Sequence, residues 1–364
     1  MPSTVRSNDF AVRICAWQRE HGRHHLPWQD TRDPYRVWLS EIMLQQTQVG
    51  TVIPYYERFL ERFPDIGTLA RADQEEVMPY WAGLGYYARA RNLHRCAQVL
   101  VAEHGGRFPP YSQDIARLPG IGRSTAAAIA AFSHGERAPI MDGNVKRVFT
   151  RFFGIHGYPG LRAVEQRLWG LAETALDQAP ADLDMAAYTQ GLMDLGAQIC
   201  TRGKPQCAAC PLSPDCEARR LGLQRTLPEP RPRRAIPERH CAMLLLHGDG
   251  HVLLEKQPQP GIWGGLWSLP RYDNAQELAD ACLGKGIAVP DESRMATFVH
   301  TFTHFRLHIE PWLLEAPRRS AEPEAGRRWI PFEQLAHTAV PAPVRSLLAA
   351  LPGHDATPQL RGGR

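Results

Sequence analysis

Glu41 and Asp142 are two carboxylates set in contrasting local sequences. Residues 35–49 read as one helix with apolar side chains on most faces. Glu41 lies inside it, with Val37, Trp38, Leu44 and Gln45 one turn away on either side. Such neighbours strip water from a carboxylate and raise its pKa toward neutrality, so Glu41 is suited to donating a proton; a solvated helix face is the ordinary alternative for a lone glutamate. Asp142 precedes Gly143-Asn-Val-Lys-Arg147 and falls at a helix N-terminus, where free N–H groups and the dipole favour the ionised form; a plain N-cap is its alternative. The two acids are therefore expected to differ in pKa. One carboxyl kept protonated and one kept charged suits cleavage of a glycosidic bond through an oxocarbenium-like transition state.

Two further motifs carry chemistry. Leu118-Pro-Gly-Ile-Gly-Arg-Ser-Thr-Ala126 is a tight turn leading into an Ala-rich helix. Gly120 and Gly122 carry no Cβ to keep a phosphate from the backbone N–H groups, so a nucleic-acid backbone is the expected ligand. Cys200, Cys207, Cys210 and Cys216, spaced C-x6-C-x2-C-x5-C, place four soft thiolates in one short loop, enough to saturate a metal centre. Tetrahedral zinc and an iron-sulfur cluster both suit such a set.

The elements that must position these residues are short helices separated by Pro and Gly breaks, from about residue 10 to residue 220, with almost no alternation of period two. This predicts an all-α domain over residues 1–220. Residues 221–240 shift to Pro and Arg and read as a stiff linker. Two strands then follow, at 241–247 and 251–255, joined by the turn Gly248-Asp-Gly250. A strand over 298–314 and a helix over 342–351 complete a mixed α and β domain spanning 241–353, and residues 354–364 read as a disordered tail. The fold class is thus multidomain, all-α followed by α/β.

With 364 residues the chain is long enough for two domains. Its net charge of +4 is too small to hold a polyanion by itself, so binding must rest on clusters such as Tyr86-Tyr-Ala-Arg-Ala-Arg-Asn92. Cys15, Cys96, Cys241 and Cys282 are scattered, as expected of reduced thiols. Neither a secretory signal nor an apolar run of spanning length is evident, so no membrane association and a cytoplasmic, nucleoid-associated location are expected.

Leu26-Pro-Trp28, residues 37–49, Gly83-Leu-Gly-Tyr-Tyr-Ala-Arg-Ala-Arg-Asn92, the hairpin at about 111–134, Asp142-Gly-Asn-Val-Lys-Arg147, Met193-Asp-Leu-Gly196 and the cysteine spacing together resemble the helix-hairpin-helix DNA glycosylases, and within them the adenine-specific mismatch branch. The resemblance covers nearly the whole chain. It implies one 4Fe-4S cluster at the four cysteines (200–216), a DNA-bound hairpin at Gly120, Gly122 and Ser124, and a target base rotated out of the duplex. Carried over by position, Glu41 protonates adenine, Asp142 stabilises or transiently bonds the deoxyribose cation, and Asn144 orients Asp142. Arg23, Leu26, Trp28 and Gln190 line the adenine pocket, while Gln46 and Tyr86 enter the base stack. Strand-cutting relatives carry lysine where this chain has Ser124, and serine cannot form an imine, so base removal without efficient strand cleavage is implied.

The second domain is similar to a Nudix fold, through Gly261-Ile-Trp-Gly-Gly-Leu-Trp-Ser-Leu-Pro270 and Trp329-Ile-Pro-Phe332. Residues 270–286 lack the Arg-Glu and Glu-Glu pairs that hold magnesium in Nudix hydrolases, which implies a reader of 8-oxoguanine. Phe302, Thr303 and His304 match the family's Phe-Ser-His recognition loop, with Thr for Ser. The implied substrate is double-stranded DNA with A opposite 8-oxoguanine or G, acted on by a monomer. The alternatives are a pyrimidine-specific glycosylase of the same fold and a non-catalytic iron-sulfur DNA-binding protein.

Overall fold

The computed structural model describes residues 9–232, 235–259, 261–317 and 324–351. The tail expected over 354–364 lies outside the described residues. Two compact units are present, one of residues 1–71 and 92–233, the other of residues 72–91 and 234–364.

Up to residue 220 every regular element described is helical, as expected: α1 (Phe10–His21), α2 (Pro34–Leu44), α3 (Val49–Arg62), α4 (Ile66–Arg71), α5 (Gln74–Trp81), α6 (Ala88–His104), α7 (Ser112–Ile115), α8 (Arg123–His134), α9 (Gly143–Phe152), α10 (Arg162–Asp177), α11 (Met185–Asp194) and α12 (Glu217–Arg220). The single helix expected over 35–49 is two. Gln46 adopts a left-handed φ of 57°, which ends α2 and lets α3 restart at Val49. Pro34 opens α2 at its first turn, and the Asp33 side chain accepts the Tyr35 N–H at 3.0 Å. Trp38, Leu39 and Met43 on α2 are fully buried, each contributing about 1.5–3 kcal/mol. Their burial fixes the helix that carries Glu41. α2 packs on α8, and α1 on α11. Around Phe10, Ile14, Phe149, Tyr188 and Leu192, α1, α9 and α11 share one core.

The second unit contains a mixed seven-stranded sheet in the order β3-β2-β1-β6-β5, with β4 paired to β1 and β7 to β2. Its strands are β1 (Glu238–Gly248), β2 (His251–Lys256), β3 (Trp267–Ser268), β4 (Arg271–Tyr272), β5 (Phe298–Thr301), β6 (Arg306–Glu315) and β7 (Arg327–Pro331), with helices α13 (Ala275–Leu283) and α14 (Ala342–Leu348). β1 and β6 run parallel from Glu238↔Arg306 to His247↔Glu315. The strand expected over 298–314 is a hairpin. Phe302 N–H donates to the Phe305 carbonyl at 2.9 Å, folding the chain back between β5 and β6. Leu244, Leu246, Trp312 and Leu314 form the core with Leu278 and Cys282 of α13. All four scattered cysteines are buried. Among the described residues no helix is long and apolar enough to cross a membrane.

Candidate active site

Glu41 faces a cavity of about 350 Å³ in the first unit, lined also by Arg23, Trp28, Ser40 and Gln190. That size suits a small aromatic ligand. The Glu41 carboxyl is half-buried by exposure, since it opens on the cavity, yet protein surrounds it closely. Lost hydration, with the nearby charge of Asp142 adding to it, raises its pKa to about 8. Three of the four residues expected to line the cavity do so. Leu26 does not; it is buried in the core, and its N–H donates to Gln29 Oε1 at 3.1 Å. Trp28 is held edge-on against Tyr56 at 5.3 Å.

Asp142 is the N-cap of α9, its Oδ1 accepting the Val145 N–H at 2.7 Å. The cap is as expected, but the pKa is not. Burial outweighs the hydrogen bonds from Val145 and Asn144 and the charge of Arg147, so the Asp142 pKa is raised rather than lowered. Both carboxyls are therefore pushed up by desolvation. They differ in their donors: Asp142 receives several N–H groups, whereas burial and the Asp142 charge alone act on Glu41. Asn144 Oδ1 accepts from Arg147 Nη2 at 2.8 Å, which leaves its amide N–H₂ to face Asp142. A Cβ on Gly196 would stand 2.6 Å from Asn144 Cβ, so only glycine fits there.

Asp194 is a residue that sequence reasoning left without a role. Fully buried, its carboxylate accepts from Arg23 Nε (2.7 Å), Arg23 N–H (2.8 Å) and Gln190 Nε2 (2.8 Å). One acid thus orients two cavity residues. Asp194→Ala leaves Arg23 without its buried partner, and a loss of about 3–5 kcal/mol in urea unfolding is expected; an unchanged midpoint would show the pair to be dispensable.

The hairpin runs from α7 through residues 118–122 into α8. Gly120 has φ +77°, and a Cβ there would meet Asn92 Cβ at 2.5 Å. Around Gly122, the N-cap of α8, a Cβ would find open space. Gly122 therefore leaves the turn open to an outside group. Ser124 Oγ accepts the Met141 N–H at 2.8 Å, tying α8 to the residue before Asp142. Gln46 and Tyr86 are both exposed, with left-handed φ of 57° and 47°, the kind of strain that surrounding structure must maintain.

The four clustered thiols line one cavity of about 30 Å³. Among the described residues no group of His, Cys, Asp or Glu side chains converges tightly enough to hold a single metal ion. Four soft thiols in one loop suit either a tetrahedral zinc ion or an iron-sulfur cluster. Burial pushes the Cys210 thiol up to about 12 and raises Cys216. Arg147 Nε donates to the Cys200 carbonyl at 2.7 Å, and Arg151 Nη1 approaches Cys200 Sγ at 3.3 Å. The helix capped by Asp142 is thus bonded to the cysteine loop.

In the second unit, the Phe302 ring stacks on Phe305 at 4.5 Å, with Thr303 and His304 exposed at the turn. On α13, Glu277 accepts the Asp273 N–H and Asp280 accepts from Gln276.

A profile of the HhH-GPD superfamily of base excision DNA repair proteins matches residues 39–174, and a NUDIX domain profile matches 241–350. Fold and site define a helix-hairpin-helix base excision glycosylase, an enzyme acting on N-glycosyl bonds, joined to a Nudix-like domain. The adenine DNA glycosylase of Buchnera aphidicola (subsp. Acyrthosiphon pisum) is 35% identical over 341 residues, 93% of this chain and 96% of its own. The human adenine DNA glycosylase is 31% identical, over 95% of this chain and 74% of its own. A thermostable thymine-DNA glycosylase structure aligns with a TM-score of 0.53 at 31% identity, over 59% of this chain and 97% of its own. The chain belongs to the adenine DNA glycosylase family.

Proposed function

We propose that the enzyme removes adenine mispaired with 8-oxoguanine, or less efficiently with guanine, and leaves the sugar-phosphate strand intact. The observation that carries this reading is Glu41, a carboxyl with a raised pKa opening on a base-sized cavity beside Asp142. When the pair holds one proton, Glu41 keeps it, because the N–H donors around Asp142 favour the ionised form there. The Glu41 proton passes to a ring nitrogen of adenine. The C1′–N9 bond then breaks with its electron pair going to the base, which leaves as a neutral molecule. The Asp142 carboxylate offsets the positive charge developing on the deoxyribose, Asn144 holds that carboxylate in place, and water adds at C1′ and gives up a proton that restores the Glu41 carboxyl. Trp28, Arg23 and Gln190 hold the extruded base, and Leu26, which does not line the cavity, takes no part in holding it.

Gly120, Gly122 and Ser124 form the turn that receives a phosphate, and Gln46 and Tyr86 fill the stack. Ser124 offers no amine, which supports base removal without a lyase step. The four cysteines would hold one 4Fe-4S cluster, whose contribution is to close the 200–216 loop against α9. The domain over 241–353 reads the opposite base through Phe302, Thr303 and His304. The acids of α13 are engaged within their own helix and its N-terminal turn, which supports a reader rather than a magnesium-dependent hydrolase. In this reading the enzyme acts as a monomer on double-stranded DNA carrying A opposite 8-oxoguanine or G.

Single-turnover excision from duplexes with A opposite 8-oxoguanine, G, C and T, scored with and without alkali, tests substrate and reaction type together. Strand breaks only after alkali, fastest opposite 8-oxoguanine, are expected. Breaks without alkali or removal of a pyrimidine would overturn the reading. Purified protein should be brown, with a broad visible band and about four irons per chain; colourless protein loaded with zinc would refute the cluster.

A further inference from the structure

The segment from residue 72 to residue 91, which carries Tyr86, packs into the same compact unit as the sheet that carries Phe302. Polar contacts tie it to the sheet. Lys256 Nζ donates to Glu75 Oε1 at 2.8 Å, and Arg91 Nη1 donates to the Gly264 carbonyl at 2.7 Å. Arg91 is half-buried, and burial lowers its pKa.

Each end of the Arg91 contact leads to an aromatic side chain, the exposed Tyr86 on one side and the half-buried Phe302 on the other. Toward α6, the first helical turn grips the Tyr86 loop: Arg89 N–H donates to the Tyr86 carbonyl at 2.8 Å, and Arg91 N–H to the Tyr87 carbonyl at 3.2 Å. Arg89 also donates to the Leu84 and Gly85 carbonyls at 3.2 and 3.3 Å, with its guanidinium 5.6 Å from the Tyr86 ring centre. Toward the sheet, Gly264 follows Trp263, which is buried in a left-handed conformation of φ 57°. A tryptophan adopts that conformation only when its surroundings hold it there. What holds it includes the bond from Leu266 N–H to its own carbonyl at 2.9 Å and its aromatic neighbours, Phe302 at 5.7 Å and His300 at 5.9 Å. Phe302 is thus fixed by Trp263 on one side and stacked on Phe305 on another.

We propose that Arg91 is a positioning residue that couples stack insertion by Tyr86 to reading of the opposite base at Phe302, through Gly264 and Trp263. The inference rests on the reading of residues 302–304 as a recognition turn. Arg91 belongs to the cationic cluster expected from the sequence to bind the polyanion, but its guanidinium donates to the Gly264 carbonyl instead, so in this role it touches neither DNA nor the reacting atoms. Its effect is on the ratio between substrates.

The test is a double-mutant cycle on the full-length protein, read as the ratio of single-turnover excision rates for A opposite 8-oxoguanine and A opposite G. In the parent, Tyr86→Ala and Phe302→Ala combined should depart by at least about threefold from the product of their separate effects on that ratio. In an Arg91→Met background, which keeps the stem and removes the donor, the two effects should multiply. Trp263→Leu interrupts the same route from the other side and must give the same pattern, which keeps the proposal testable if Arg91→Met melts early.

Persistence of the parent coupling in both backgrounds overturns the proposal. An equal fall on both duplexes in Arg91→Met also overturns it and makes Arg91 a phosphate contact. If Phe302→Ala leaves the ratio of the parent unchanged, the recognition-turn reading fails and the coupling with it. Loss of the ratio in Phe302→Ala with coupling unaffected by Arg91→Met sinks the coupling alone.

Discussion

Glu41→Gln is expected to reduce adenine excision by about 10²–10⁴-fold in single-turnover assays while leaving affinity for the mismatched duplex within a few-fold. Glutamine keeps the shape and the polar tip but has no proton to give. The parent's pH profile follows from the same group. Its carboxyl is pushed up to about 8 by burial and by Asp142, so the donor is present at neutral pH. Excision should fall about tenfold per unit as pH rises well beyond that value. A variant with parental excision, or a parent whose activity already falls on this limb near pH 5, would remove Glu41 from the acid role.

The raised pKa also fixes the sign of a stability effect. In the unfolded chain Glu41 ionises near its ordinary 4.5, whereas the folded protein keeps it protonated to about 8. Between those values the unfolded state binds fewer protons, so this group's contribution to stability falls as pH rises, by about 1.4 kcal/mol per pH unit. Glu41→Gln lacks that slope. Its melting temperature should exceed the parent's at pH 8, with the difference closing toward pH 4.5. A proton donor held ready by desolvation thus lowers stability where the enzyme works.

What the sequence shows and what it hides divide along physical lines. Glu41, the hairpin and the four cysteines are legible because local spacing carries their meaning: apolar residues one turn away, glycines in a turn, thiols in one loop. Asp194 is not legible. A buried aspartate near the end of a helix gives no local signal, and its partner Arg23 lies 171 residues away in the chain. Asp142 is half legible: its cap follows from Asp-Gly-Asn before an apolar helix, but its pKa depends on burial by distant elements, which reverses the expected direction. The break at Gln46 and the turn after Thr301 are missed for a shared reason. Neither carries the Gly or Pro that marks a reversal, and tertiary packing imposes both. The association of residues 72–91 with the sheet is equally invisible, because it depends on single contacts such as that of Arg91 with Gly264.

Asp142→Asn separates the two roles that this position combines. Asparagine is as good an N-cap as aspartate, so the new amide oxygen can accept the Val145 N–H and α9 should keep its first turn, with stability changed little. The charge is lost. Excision should fall by about 10³-fold or more, since Asp142 is the carboxylate assigned to offset the charge of the forming sugar cation. Asp142→Ala removes charge and cap together, and should show the same loss of excision with a further cost of about 1 kcal/mol in stability. The comparison matters because burial raises the Asp142 pKa, which by itself would argue for a neutral group. If Asp142→Asn excises within tenfold of the parent, the carboxyl is neutral at the moment of bond breaking and Asp142 is a cap alone. If excision is lost while the melting curve is preserved, the ionised carboxylate is what the reaction needs, and the donors from Val145 and Asn144 hold it charged in a site that burial would otherwise neutralise.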